Sequence, residues 1–230
     1  MKSLLFILAL LSIIPLPSTA EVRRPASVST MLTSELADFD KQPVEVQTLI
    51  RSALGLTEQK LTYVFGSHDP RRGGMDCSGA IYYLLTQAGL NETPRQSDQI
   101  CEWLMKKGLF RRTAQADTLN HPELATLRPG DLLFWSGTYN TTRRKTPVTH
   151  VMLYLGKNET TGKPIIFGAS DGRRYEGQKR TGVSLFDFVL PKESSKANFY
   201  GFGPVPGLVK QASKKRLLLI PFFRRVNTEN

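Results

Sequence analysis

An α+β fold, with helices packed on a central antiparallel β-sheet, follows from the order in which two hydrophobic periods occur along the chain. Apolar residues recur at helical spacing in the first half, and the second half carries β-branched and aromatic runs separated by turn residues. The 230 residues, 40% of them hydrophobic, suffice for one core with a small appendage and do not demand two domains.

The first stretch reads as a processing segment. Lys2 precedes the apolar run Leu4 to Ile14, then Pro15 to Pro17 and the small-residue site Ser18-Thr19-Ala20. A signal peptide over 1–20, cleaved after Ala20, is expected; the run is too short to span a bilayer comfortably, and no cysteine follows it to carry a lipid. Residues 21–42 are polar and weakly patterned, a linker or loosely packed arm. The main domain is expected over 43–210. It opens with a helix from Pro43 to Gly55, in which Val46, Leu49, Ile50 and Ala53 share a face and Gly55 closes the last turn. A short extended piece, Leu61 to Gly66, feeds the turn-rich loop Gly66 to Gly74. A second helix follows, with Asp76 placed to cap it and Gly89 to stop it. Ser97 is expected to cap a third helix that begins near Asp98 and carries Cys101, Trp103 and Leu104. Leu127 to Asp131 forms a turn into a buried strand ending at Trp135, and a polar loop runs from Ser136 to Pro147. Val148 to Gly156 is the clearest strand, and Pro164 to Ser170 pairs with it as an antiparallel hairpin. Val183 to Val189 and Asn198 to Phe202 add strands. The tail 211–230, basic at both ends and apolar between, suits a final edge strand better than a membrane-surface segment.

Cys77 falls in the first turn of the second helix. There the unpaired N–H groups and the positive end of the helix dipole favour a thiolate, which makes it a candidate nucleophile. A cysteine in an apolar helix is otherwise a small buried hydrophobe. A nucleophile needs a base, and the chain holds three histidines, His68, His121 and His150. His68 and His121 lie in loop-like contexts suited to the surface, whereas His150 sits inside an apolar strand. Cys101 reads as a buried helix residue; a disulfide to it would silence Cys77. Two cysteines and three scattered histidines show no zinc-type ligand spacing, so no metal or other cofactor is expected. The net charge of +11 favours anionic partners such as wall polymers or acidic membrane surfaces. Its basic residues are not interleaved with aromatics in a nucleic-acid-binding pattern, which argues against that partner.

Taken together, Tyr63-Val64-Phe65-Gly66, Asp76-Cys77-Ser78-Gly79, Pro94-Arg95-Gln96-Ser97, Arg128-Pro129-Gly130-Asp131-Leu132-Leu133-Phe134 and Thr149-His150-Val151-Met152-Leu153-Tyr154-Leu155-Gly156 resemble, in order, the signatures of NlpC/P60 cell-wall cysteine peptidases. The resemblance covers about residues 44–202 and implies a papain-like fold with Cys77 as nucleophile and His150 as base. It also implies that Tyr63 holds substrate or the oxyanion, and that Asp76, Ser78 and Ser97 face the amino end of a stem peptide. The third polar residue of such sites falls here on Gly168, so Ser170, Asp171 or a backbone carbonyl is left to orient His150.

The function implied is that of an exported, monomeric hydrolase acting on peptidoglycan stem peptides, most plausibly at the bond between D-glutamate and the diamino acid. Two other readings use the same residues: a catalytically inactive wall-binding module and a thiol acyltransferase.

Overall fold

The computed structural model describes residues 24–141 and 144–209. The expected leader and the tail beyond Val209 lie outside the described residues. Helix α1 (Val44–Glu58) begins after Pro43 and runs on past Gly55, because Leu56 and Thr57 are still buried against the core. An added Cβ at Gly55 would meet nothing within 4 Å, so this glycine is a helix residue and not a stop. The chain instead leaves through Lys60, whose φ is 51°.

Strands β1 (Thr62–Tyr63) and β2 (Gly74–Met75) pair in parallel and bracket the glycine-containing loop. Helix α2 (Cys77–Gln87) follows directly, and Gly89 turns the chain at φ 82°. Ala80, Ile81, Leu84 and Leu85 of α2 are at most 1% exposed, and each of the three larger side chains contributes about 1.5–3 kcal/mol by leaving water. Helix α3 (Ser97–Lys106) differs in detail from expectation: Ser97 is its first residue, and Gln96 occupies the cap position without a side-chain bond.

The strands that follow are β3 (Arg111–Arg112), β4 (Asp131–Ser136), β5 (Val148–Lys157), β6 (Pro164–Ser170), β7 (Arg174–Tyr175), β8 (Gln178–Lys179), β9 (Gly182–Asp187) and β10 (Asn198–Pro204). Six form one antiparallel sheet in the order β3-β10-β4-β5-β6-β9, while β7 and β8 make a small separate hairpin. Strands β5 and β6 form the expected hairpin. One face, including Val151, Leu153 and Phe167, packs on the helices; the other, with Leu133, Trp135, Met152 and Tyr154, has its own apolar cluster with Leu124 and Phe188. Both faces of the central strands are therefore buried, and their sequences read as nearly continuous apolar runs.

From residue 24 the arm is packed, contrary to the loose linker expected from its composition. Met31, Leu36 and Phe39 are buried, Ser27 bridges to Thr181, and Ala37 donates its N–H to the carbonyl of Lys157 at 2.8 Å. Three widely spaced apolar side chains with no helical or strand period gave no signal, yet each finds a site on the core. No helix among the described residues is long and apolar enough to cross a membrane.

At the start of β9 the chain passes close to β1. Gly182 has φ 118°, and a Cβ there would stand 2.2 Å from the carbonyl oxygen of Leu61. Gly182→Ala should lower stability by about 2–3 kcal/mol, read as a drop in the urea midpoint with unchanged slope.

Candidate active site

Asp76 organises the segment that presents the cysteine. Its Oδ1 accepts from the Gly79 N–H at 2.6 Å, capping α2, and its Oδ2 accepts from the Gly66 N–H at 2.8 Å, tying the preceding loop to the helix. Arg95 then grips both oxygens, at 3.1 and 3.0 Å, and donates to the Ser78 hydroxyl at 2.9 Å. Ser78 in turn donates to Asp76. Gly79 has to be small: a Cβ would lie 2.1 Å from the Ser67 carbonyl oxygen and 2.9 Å from Asp76 Oδ1. The expected cap is thus present, joined by an ion pair that spacing alone did not suggest. With both oxygens already taken, Asp76 and Ser78 are scaffold groups in this structure and offer little to a substrate amine. Ser97 is likewise buried, its hydroxyl facing Arg144 at 3.4 Å.

Cys77 and Cys101 are both free and buried, with no disulfide between them. The Cys77 sulfur sits where two strands part. The ladder between β5 and β6 pairs Leu153 to Lys157 with Phe167 to Pro164 and does not continue toward the start of β5. The Val151 N–H, on that unpaired length, hydrogen-bonds to the sulfur, as does the N–H of Ser78. Burial, and then the Asp76 carboxylate, push the thiol up to about 11, against the pull of these two N–H groups and of Arg95.

His150 precedes Val151 and alternation turns it to the opposite face, opposite Trp135 in register, with the two rings 5.7 Å apart. Burial, and then the charge of Arg173, hold its pKa well below 6.5, and its Nε2 is buried without a partner. Neither Ser170 nor Asp171 hydrogen-bonds to it, so the two residues proposed to orient the ring do not do so here. Ser170 is buried in β6, and Asp171 is exposed beyond its end. At Gly168 a Cβ would stand 3.0 Å from Met152 Cε: a thioether occupies the space where a polar side chain was sought.

Residues 60–170 match the family model described as NlpC/P60 family. This segment belongs to the NlpC/P60 family. The chain is also 30% identical over 153 residues to the γ-DL-glutamyl hydrolase of Bacillus subtilis (strain 168), covering 63% of this chain and 31% of that protein. It spans about a third of the length of the curated relative it matches.

Around Cys77 the structure gathers Tyr63, named by the resemblance, together with Tyr139 and Arg173, which no motif singled out. Tyr63, half-buried, has its pKa raised by burial and then by the nearby charges of Cys77, Asp76 and Asp171. Tyr139, from the β4–β5 loop, is likewise raised by burial and lies in the field of Cys77; its ring meets Phe65 edge-on at 6.2 Å. Arg144 holds that loop in place, donating to the Tyr139 hydroxyl at 2.7 Å and the Val148 carbonyl at 2.8 Å, with Asp98 at 3.2 Å. Arg173 stacks on Trp135 at 4.2 Å. The other histidines are elsewhere employed: exposed His68 packs against Tyr82, and His121 accepts from the Glu123 N–H. Among the described residues, no group of three or more His, Cys, Asp or Glu side chains is arranged to hold a metal.

The clamp on Asp76 has a measurable cost of removal. Arg95→Ala leaves a carboxylate that is 9% exposed without its cation, and should lower stability by about 2–3 kcal/mol in urea titration.

Proposed function

We propose that the protein is an exported cysteine hydrolase that cleaves a γ-glutamyl amide in peptidoglycan stem peptides, between D-glutamate and the diamino acid. The observation that carries this reading is a free sulfur at the head of α2, hydrogen-bonded by the N–H of the residue next to an unpartnered, buried imidazole. The family match of residues 60–170 and the similarity to a γ-DL-glutamyl hydrolase support it.

Burial disfavours the charged forms of both groups, so the Cys77 thiol and the His150 imidazole each rest neutral. His150 therefore acts as a general base during attack: the thiol proton passes to the imidazole as sulfur bonds to the carbonyl carbon. The oxyanion that forms meets the Cys77 N–H in the first turn of α2, which has no intrahelical acceptor, and the Tyr63 hydroxyl. Imidazolium then gives its proton to the departing amine, leaving a thioester. His150 next takes a proton from water as it attacks, and collapse returns the thiol and a free carboxylic acid.

A competing reading, a wall-binding module without turnover, draws on the unpartnered Nε2 and the raised thiol pKa. Mass analysis of muropeptides incubated with the protein separates the two. Hydrolysis by the natural sequence and its loss in folded Cys77→Ala are expected; unchanged masses with the natural sequence would favour the binding module.

The acid limb of kcat/KM gives a second test. His150 must be neutral to accept the proton, so activity should fall only as pH drops through a value below 6.5, and remain level above it until the thiol itself titrates. A midpoint above 6.5 would require a charged resting pair.

A further inference from the structure

Three arginines stand around this site, and two are neutralised by carboxylates. Arg95 is paired with Asp76 at 3.0 Å and Arg144 with Asp98 at 3.2 Å. Arg173 makes neither an ion pair nor a side-chain hydrogen bond with any described residue; its observed contact is the face of Trp135, 4.2 Å from the guanidinium carbon. It is half-buried, and burial draws its pKa down to about 10, so it remains charged at neutral pH. A guanidinium stripped of much of its water and left without a carboxylate is an unfilled anion site, since its planar fork of donors matches a carboxylate.

The surroundings repeat the pattern. Trp135 Nε1 and His150 Nε2 are both buried without partners, on side chains that face each other across β4 and β5. Arg173 lies over Trp135, whose ring is 5.7 Å from that of His150, and its charge acts on both His150 and Cys77. The nearby acid, Asp171, is exposed and acts instead on Tyr63.

A glutamyl residue linked through its side chain carries a free α-carboxylate a few bonds from the carbonyl that is attacked, whereas a peptide with no acidic residue there presents no such anion. We propose that Arg173, stacked on Trp135, is the subsite for this α-carboxylate and selects glutamyl substrates in which that carboxylate is free. The assignment rests on the hydrolase reading above and names a substrate determinant within it. Binding there also cancels, on arrival of substrate, the positive charge that otherwise opposes protonation of His150.

The test compares two synthetic peptides, L-alanyl-γ-D-glutamyl-diamino acid with its α-carboxylate free and the same peptide with that group as carboxamide. Hydrolysis by the natural sequence, Arg173→Lys and Arg173→Gln is measured as kcat/KM, and binding of both peptides to Cys77→Ala, with and without Arg173→Gln, by calorimetry. The natural sequence should favour the carboxylate peptide about 10- to 100-fold, the worth of one charge-assisted contact. Arg173→Lys should keep part of that preference. Arg173→Gln should remove it, bringing kcat/KM on the carboxylate peptide to that on the carboxamide peptide. Equal losses on both peptides, or a preference that survives in Arg173→Gln, would overturn the assignment and reduce Arg173 to a support for Trp135. If neither peptide is cut, the hydrolase reading fails by itself, and the binding preference in Cys77→Ala still decides the role of Arg173.

Discussion

One carboxylate holds the candidate site together. Asp76 receives the Gly79 N–H from the first turn of α2, the Gly66 N–H from the preceding loop and both ends of the Arg95 guanidinium from beyond the helix. Three chain segments that are separate in sequence thereby meet at the residue before Cys77. The same negative charge raises the Cys77 pKa, so the group that fixes the sulfur in place also discourages its ionisation. Arg95 offsets part of that effect, and the N–H groups of Val151 and Ser78 offset more.

The balance favours proton transfer during attack over a standing ion pair. His150 Nε2 is enclosed without a partner while Met152 lies against Gly168, so no polar group among the described residues supports an imidazolium there. Among the described residues the charge acting on His150 is that of Arg173, and no carboxylate pairs with the ring.

Much of the site was legible because it depends on local rules. The Asp76 cap, Cys77 in the first helical turn and the stop at Gly89 each follow from neighbours a few residues away. His150 stood out as a titratable ring in an apolar strand. Less legible were features set by packing. The end of α1 was misplaced at Gly55 because the glycine rule ignores whether the following residues still have a core to bury against. Ser97 has the composition of a cap, yet its hydroxyl faces Arg144, far away in sequence. The arm before α1 looked unstructured because Met31, Leu36 and Phe39 have no period, although all three are buried.

The sequence by itself determined the helix-then-strand order and the hairpin of β5 with β6, since hydrophobic period and capping chemistry act over short separations; the pairing of a cysteine-headed helix with a histidine-bearing strand came from the resemblance to NlpC/P60 motifs. Only the tertiary structure decided which polar groups remain free. Whether an arginine is neutralised, an aspartate saturated or an imidazole left without a partner depends on which distant segments converge on it, as Arg95 does on Asp76 and no described carboxylate does on Arg173.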